Sequence, residues 1–434
     1  MKKKKLIAGS LAVVLALALT IGGTISYLQG STAAVVNTMS TNKVEVSLSE
    51  TTGSEYNIVP GTSQSKDPTI TVDATVASYV FLLVDDDTDG LVTYALESAW
   101  TLYSSAEDNG TGSDIYYQAV SAETTSLGII TDNTISYDAS LTNADMLDEN
   151  GDLKTDIALS FKAYAIQQAS FDGVDAAYEA LKLEILGDAG WIIVDEASDL
   201  TTEYVVAEGS YILADDVAIS SSYISTAIDT AVTIDLNGYT LDLNGGHIVA
   251  NGDITIAGEG TITGGSATYG GAIYIVNDAT VTLESATITG CETTSSGRGG
   301  AVYADGGNFV MNGGTITGNS SKYGGGVCVY DGTFVMNGGT ISDNEASYYG
   351  GGVELYTGSS SKTAEFEMNG GTITGNTSVK SGGGLYIGSY NTATINGGSI
   401  TGNTSTGTNY NNYYKTSAGT LTDNTGELTN NTAE

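Results

Sequence analysis

The stretch VDDDTDG (84–90) sets Asp85, Asp87 and Asp89 at alternate positions before Gly90, the D-x-D-x-D-G order of an oxygen-liganded calcium loop. A complete loop needs a bidentate carboxylate at its twelfth position. That place falls on Leu96, and Glu97 stands one residue late. The motif is incomplete and acidic turns are common in a chain this acidic, so no cofactor is expected; calcium is the alternative, with these three aspartates as its candidate ligands. Tyrosine supplies the second candidate chemistry. Tyr274, Tyr303 and Tyr386 hold the same place in successive repeats, with Cys328 and Glu354 between them, and Tyr269, Tyr323 and Tyr349 stand just before glycine pairs. Rings ranked along one face can stack on sugars, so these five tyrosines besides Tyr269 (Tyr274, Tyr303, Tyr323, Tyr349 and Tyr386) form a candidate glycan-binding face. The competing structural reading is that tyrosine is a good strand former used for coil-to-coil stacking.

No residue is assigned a catalytic role. Polysaccharide lyases of elongated β folds use a basic residue beside calcium-holding carboxylates, and hydrolases use clustered aspartates on neighbouring coils. Arg298 is the single arginine, in SSGRGG, and Lys322, Lys362, Lys380 and Lys415 are dispersed. Asp305, Asp331 and Asp343 are expected in separate loops or turns. Arg298 is therefore read as a solvated loop residue and His247 as a turn residue. Cys291 and Cys328 are too few for a disulfide framework, and they are expected on different walls as free thiols.

Residues that do chemistry must be positioned by something, and composition bounds what that is. The chain has 434 residues, with 14 Lys+Arg against 51 Asp+Glu and a formal net charge of −37. Such an acidic surface repels nucleic acid and anionic headgroups, which excludes both as partners. Hydrophobic content of 41% is enough to build a core. Four lysines, Lys2 to Lys5, precede the apolar run LIAGSLAVVLALALTIGG, the layout of a secretory signal with cleavage after Ser26. The alternative, an uncleaved anchor over the 20 residues from Leu6 to Ile25, is disfavoured by Ser10, Thr20 and the paired glycines. Export without a remaining membrane segment is the expectation, with a secreted or cell-surface location.

Residues 27–188 carry half-buried strand patterns at VEVSL (44–48), TITVDATV (69–76) and YVFLLV (79–84). DGVDAAYEALK (172–182) is predicted helical, capped by Asp172, with Val174, Ala177, Tyr178 and Leu181 on one face. The ordered set GGTISY, VNTMSTNKVEVSLSE, PGTSQSKDP (60–68), YVF (79–81) and KAYAIQ (162–167) resembles the camelysin/TasA-like family of secreted Gram-positive proteins, with its SipW-type signal. The resemblance covers roughly residues 1–185. It implies a jelly-roll-like β-sandwich, export and, in some members, assembly into biofilm-matrix fibres. The chain departs from that pattern at SYLQG (26–30) and at VDATV (72–76). The peptidase activity ascribed to camelysin-type proteins needs histidine ligands, and His247 lies outside this segment.

The second half repeats. Ile262, Ile288, Ile316, Ile341, Ile373 and Ile400 centre T-I-T-like triplets 25 to 32 residues apart, and MNGGTITGN (311–319) returns nearly unchanged at 336–344 and 368–376. A period of that length with three short strands per unit predicts a right-handed parallel β-helix, since a propeller blade needs about 40 residues. Residues 213–434 are assigned to this solenoid and 189–212 to a linker and cap. The repeats resemble the pectin-lyase-like β-helix class in its glycine-rich surface-protein form. Val302, Val327, Val353 and Leu385 are expected inward on the first wall, the pairs Phe309/Met311, Phe334/Met336 and Phe366/Met368 on the second, and the triplet isoleucines on the third. The expected fold class is all-β, a jelly-roll-like sandwich followed by the solenoid. The expected function is non-enzymatic adhesion or matrix formation through glycans, host or matrix proteins, or self-association. A polysaccharide-active enzyme and a structural spacer are the alternatives.

Overall fold

The computed structural model describes residues 27–29, 44–52, 55–73, 76–148, 151, 154, 157–200, 205–219, 223–407 and 410–429. The expected signal segment, residues 1–26, lies outside them. The chain divides into two compact units, 1–181 and 182–434, and both are built almost wholly of β-strands.

In the first unit the period-2 runs form the strands Glu45–Ser49, Thr69–Asp73 and Ser78–Asp87. The first two pair antiparallel with each other, and Ser126–Gly128 completes a three-stranded sheet. A six-stranded sheet runs in the order Glu55–Asn57, Tyr27–Gln29, Ala158–Gln167, Ser78–Asp87, Asp114–Val120, Thr101–Ser104. YVF and KAYAIQ lie on its two central strands, paired so that Tyr164 faces Phe81. Val46, Leu48, Ile70 and Val72 of the small sheet share one apolar cluster with Val80, Leu82, Leu159 and Phe161 of the large one. On the other side of the large sheet Phe81 packs against Tyr103 and against Tyr178 of the helix Val174–Asp188. That second cover explains why YVFLLV is a continuous apolar run rather than an alternating one. These sheets do not establish the jelly-roll-like sandwich order. The helix also corrects its expected cap. The Gly173 carbonyl accepts the first helical bond, from the Ala177 N–H, which puts Gly173 rather than Asp172 at the N-cap.

The second unit is a right-handed parallel β-solenoid of about eight turns. All six triplet isoleucines from Ile262 to Ile400 are in register and buried. The second wall stacks Phe309 on Phe334 and Phe334 on Phe366, with ring centroids 5.0 and 4.9 Å apart. Val302, Val327, Val353 and Leu385 are buried and in register on the first wall. MNGG is repeated because its second glycine must turn with positive φ. A Cβ on Gly339, at φ +81°, would meet the Cε of Met311 from the coil before at 2.6 Å. The next corner is fastened by a buried asparagine ladder. Asn319, Asn344, Asn376 and Asn403 each receive the backbone N–H of the preceding rung, and Cys291 donates its own N–H to Asn319.

Two expectations change. Six successive coils have a fourth short strand, represented by Ser320–Tyr323, Glu345–Tyr349 and Thr377–Ser378 in a separate six-stranded sheet. Its inward column is Ser321, Ala346, Ser378 and Ser405, small residues that leave no apolar alternation to read. The segment 189–212 is also more than linker and cap, since Ile192–Val194 already pairs in parallel with Gly209–Leu213. At the far end Asp423 accepts the N–H groups of Thr425, Gly426 and Leu428, and Leu428 packs on the core. In the insertion 357–363, residues 358–361 are exposed and Lys362 is tied back to Asp331 at 2.9 Å.

Candidate functional site

The outward column of the first wall is in register as expected, running Val249, Tyr274, Tyr303, Cys328, Glu354, Tyr386, Tyr414. Its exposure is not as expected. Tyr303 is 4% and Tyr386 8% exposed, and Cys328 and Glu354 are buried. Neighbouring side chains on the fourth strand fold over the glycine pairs and cover this column. Tyr269 stacks on Tyr303 at 5.1 Å, and Tyr349 stacks on Tyr386 at 4.3 Å. The glycine pairs permit this because the coils touch there: a Cβ on Gly325 would collide with the Gly351 carbonyl oxygen. Tyr303 and Tyr386 therefore serve as the inner layer, which corrects their place on a ligand-facing surface. Tyr269, 44% exposed, and the half-buried Tyr274, Tyr323 and Tyr349 form the outer layer. His247 extends the stack, its ring 6.5 Å from that of Tyr274 and nearly parallel to it. Burial holds its imidazole below the usual range.

Where the tyrosine column breaks, a charged cluster takes its place. The Arg298 Nη1 lies 2.7 Å from Glu354 Oε2, and the Cys328 thiol donates to the same oxygen at 3.2 Å. The guanidinium is sandwiched between the rings of Tyr323, 4.3 Å away, and Tyr356, 4.0 Å away. Arg298 is thus a half-buried, ion-paired residue and not the solvated loop residue expected. Burial pushes the Glu354 carboxyl up to about 7 despite the opposing pull of Arg298, and its Oε1 has no hydrogen-bond partner. Burial, then the neighbouring carboxylate, raises the Cys328 thiol well above its ordinary range, so it is no nucleophile. Cys291 is likewise a free buried thiol, pushed up to about 11 by burial.

A second cluster escaped the sequence reading. Asp305 and Asp331, expected in unrelated loops, are register partners on adjacent coils, within Val302–Met311 and Val327–Met336. These strands run from the first wall into the second without a break. Tyr274 donates its hydroxyl to Asp305 at 3.4 Å, and Lys362 of the insertion pairs with Asp331 and lies 4.9 Å from the Tyr330 ring centroid. The recurrence of D-G before a phenylalanine, in DGGNF and DGTF, was the available signal.

The calcium candidates do not converge in this way. Asp85 and Asp87 belong to the strand Ser78–Asp87, where Asp85 accepts from Ser160, and Asp89, beyond the strand, pairs with Lys154 at 2.8 Å. Burial, then the charge of Asp87, raises the Asp85 carboxyl. Among the described residues no three His, Cys, Asp or Glu side chains are grouped to hold one metal ion, and no helix is long and apolar enough to cross a membrane. No protein-family model, curated protein or solved structure matches the chain significantly.

Proposed function

We propose that the chain is a secreted, non-enzymatic surface or matrix protein that adheres to glycans through the outer tyrosines of the solenoid edge. The observation that carries this reading is the two-layered aromatic edge. Buried Tyr303 and Tyr386 hold Tyr269 and Tyr349 in place, so stacking surfaces are presented with little side-chain entropy left to lose on binding. Export rests on the basic-then-apolar N-terminus. A matrix role rests on the camelysin/TasA-like resemblance of the first half, which also carries the jelly-roll proposal for that unit. The tyrosines sit on a rigid stack, so substitution at the outer layer leaves the fold standing. Replacing Tyr269 and Tyr349 by Ser in the full chain should abolish retention on immobilised neutral polysaccharides that bind the wild type. Retention that persists in a folded variant removes these tyrosines from the function.

One observation favours a second reading, polysaccharide cleavage. Asp305 and Asp331 on adjacent coils place two carboxylates beside the same edge. Release of new chain ends from the same polysaccharides, lost in Asp331→Asn, decides for it.

A further inference from the structure

The third wall of the solenoid carries a pattern that the aromatic edge does not use. From Thr240–Asp242 to Ser399–Thr401 its strands read hydroxyl–apolar–hydroxyl, Asp242 excepted, with the middle residue buried. The outer residues make two columns. Thr261, Thr287, Thr315, Thr340 and Thr372 form one. Thr289, Thr317, Ser342, Thr374 and Thr401 form the other. The pairing runs through this sheet with no register shift, whereas the fourth-strand sheet has bulges. All these residues are half-buried or exposed; each threonine presents a hydroxyl and a methyl at a fixed height, while Ser342 supplies a hydroxyl alone, which donates to the Thr317 hydroxyl on the coil before at 3.2 Å.

Geometry makes this array two-dimensional. Neighbouring coils are about 4.8 Å apart, and positions i and i+2 of one strand about 6.6 Å apart. Thr is stiff at χ1, which keeps the hydroxyls on that grid. Leu243 follows the first triplet and Asp343 the fifth; after the other five the residue is Gly264, Gly290, Gly318, Gly375 or Gly402, all at positive φ, so no side chain projects over the edge at those coils. In a chain of net charge −37, the outward positions of this wall carry charge only at Asp242. They carry no aromatic ring either.

We infer that the third wall is an ice-binding face, whose partner is the ordered water lattice of an ice crystal. A neutral face on an acidic molecule complements a neutral surface, and the lack of rings separates it from the aromatic edge that would grip sugars. Ice prism faces repeat at spacings of the same order as the two grid vectors, so hydroxyls can enter the lattice while methyls order the water between them. One such contact is weak, but many rigid contacts in register share a single loss of translational freedom. The inference is independent of the glycan reading.

The test uses the full chain in a nanolitre osmometer with an ice-recrystallisation assay. The wild type should show thermal hysteresis and shaped ice crystals. Thr289→Tyr with Thr317→Tyr should remove most of both, and Thr333→Tyr on the second wall should leave them intact. Thr317→Val, which keeps the shape and deletes one hydroxyl, covers the case in which the double variant misfolds, and it should reduce the hysteresis. A folded wild type without hysteresis overturns the proposal. So does hysteresis that survives both third-wall changes, or third-wall-dependent retention on crystalline cellulose or chitin in its place.

Discussion

Glu354 is the residue whose chemistry and place disagree most. It is 1% exposed on a strand, with one oxygen shared by Arg298 and Cys328 and the other without a partner. Burial costs its charged form more than Arg298 returns, and the carboxyl sits at about 7 against an ordinary 4.5. The sign follows from which state holds the proton more tightly. The folded state does, so this group's contribution to stability is fully present below about pH 4.5 and is lost as pH rises through 7. Relative to Glu354→Gln, the wild type should lose on the order of 3 kcal/mol across that window. Urea unfolding of both proteins at the two ends of the window checks it, and a constant difference between them refutes the assignment. Nothing at the sequence scale announced this pair. Arg298 and Glu354 lie 56 residues apart, and only the stacking of coils brings them together.

At the scale of the element, the asparagine ladder carries the clearest expectation. Asn344 donates to Ile316 O and Asn376 Oδ1 and accepts from the Asn319 N–H, all in the buried interior. Asn344→Ala strands several buried donors and acceptors at about 1–3 kcal/mol each, so the melting temperature should fall steeply. Cys291 occupies the rung where the ladder stops, with its thiol donating to the Thr289 carbonyl instead. Cys291→Asn should extend the ladder and leave stability equal or higher by up to about 1 kcal/mol. A marked loss on calorimetry would show that the rung before Asn319 has no room for an amide. The ladder's positions were legible as a recurring Asn after T-I-T-G. The fourth strand beside it was not, because Ser and Ala inward columns satisfy packing without an apolar period.

At the scale of the whole molecule, charge decides the outlook. With 51 acidic against 14 basic residues, self-repulsion works against both folded units. The thermal midpoint should therefore rise as salt is added from low to above physiological strength, as screening shortens the range of that repulsion. A midpoint falling with salt would mean that ion pairs such as Lys66–Glu50, with Lys66 wholly buried, outweigh it. The sequence by itself determined the solenoid, three of its inward walls and their register, because each coil stacks on a near copy and must repeat its shape. It also determined which residues would form the outward column. Only the tertiary structure decided that Tyr303 and Tyr386 are inner supports, that Arg298 is locked to Glu354, and that Asp305 stands beside Asp331. Exposure and charge pairing depend on what neighbouring coils fold over a side chain. That is set by contacts between residues a full turn or more apart, which local periodicity does not encode.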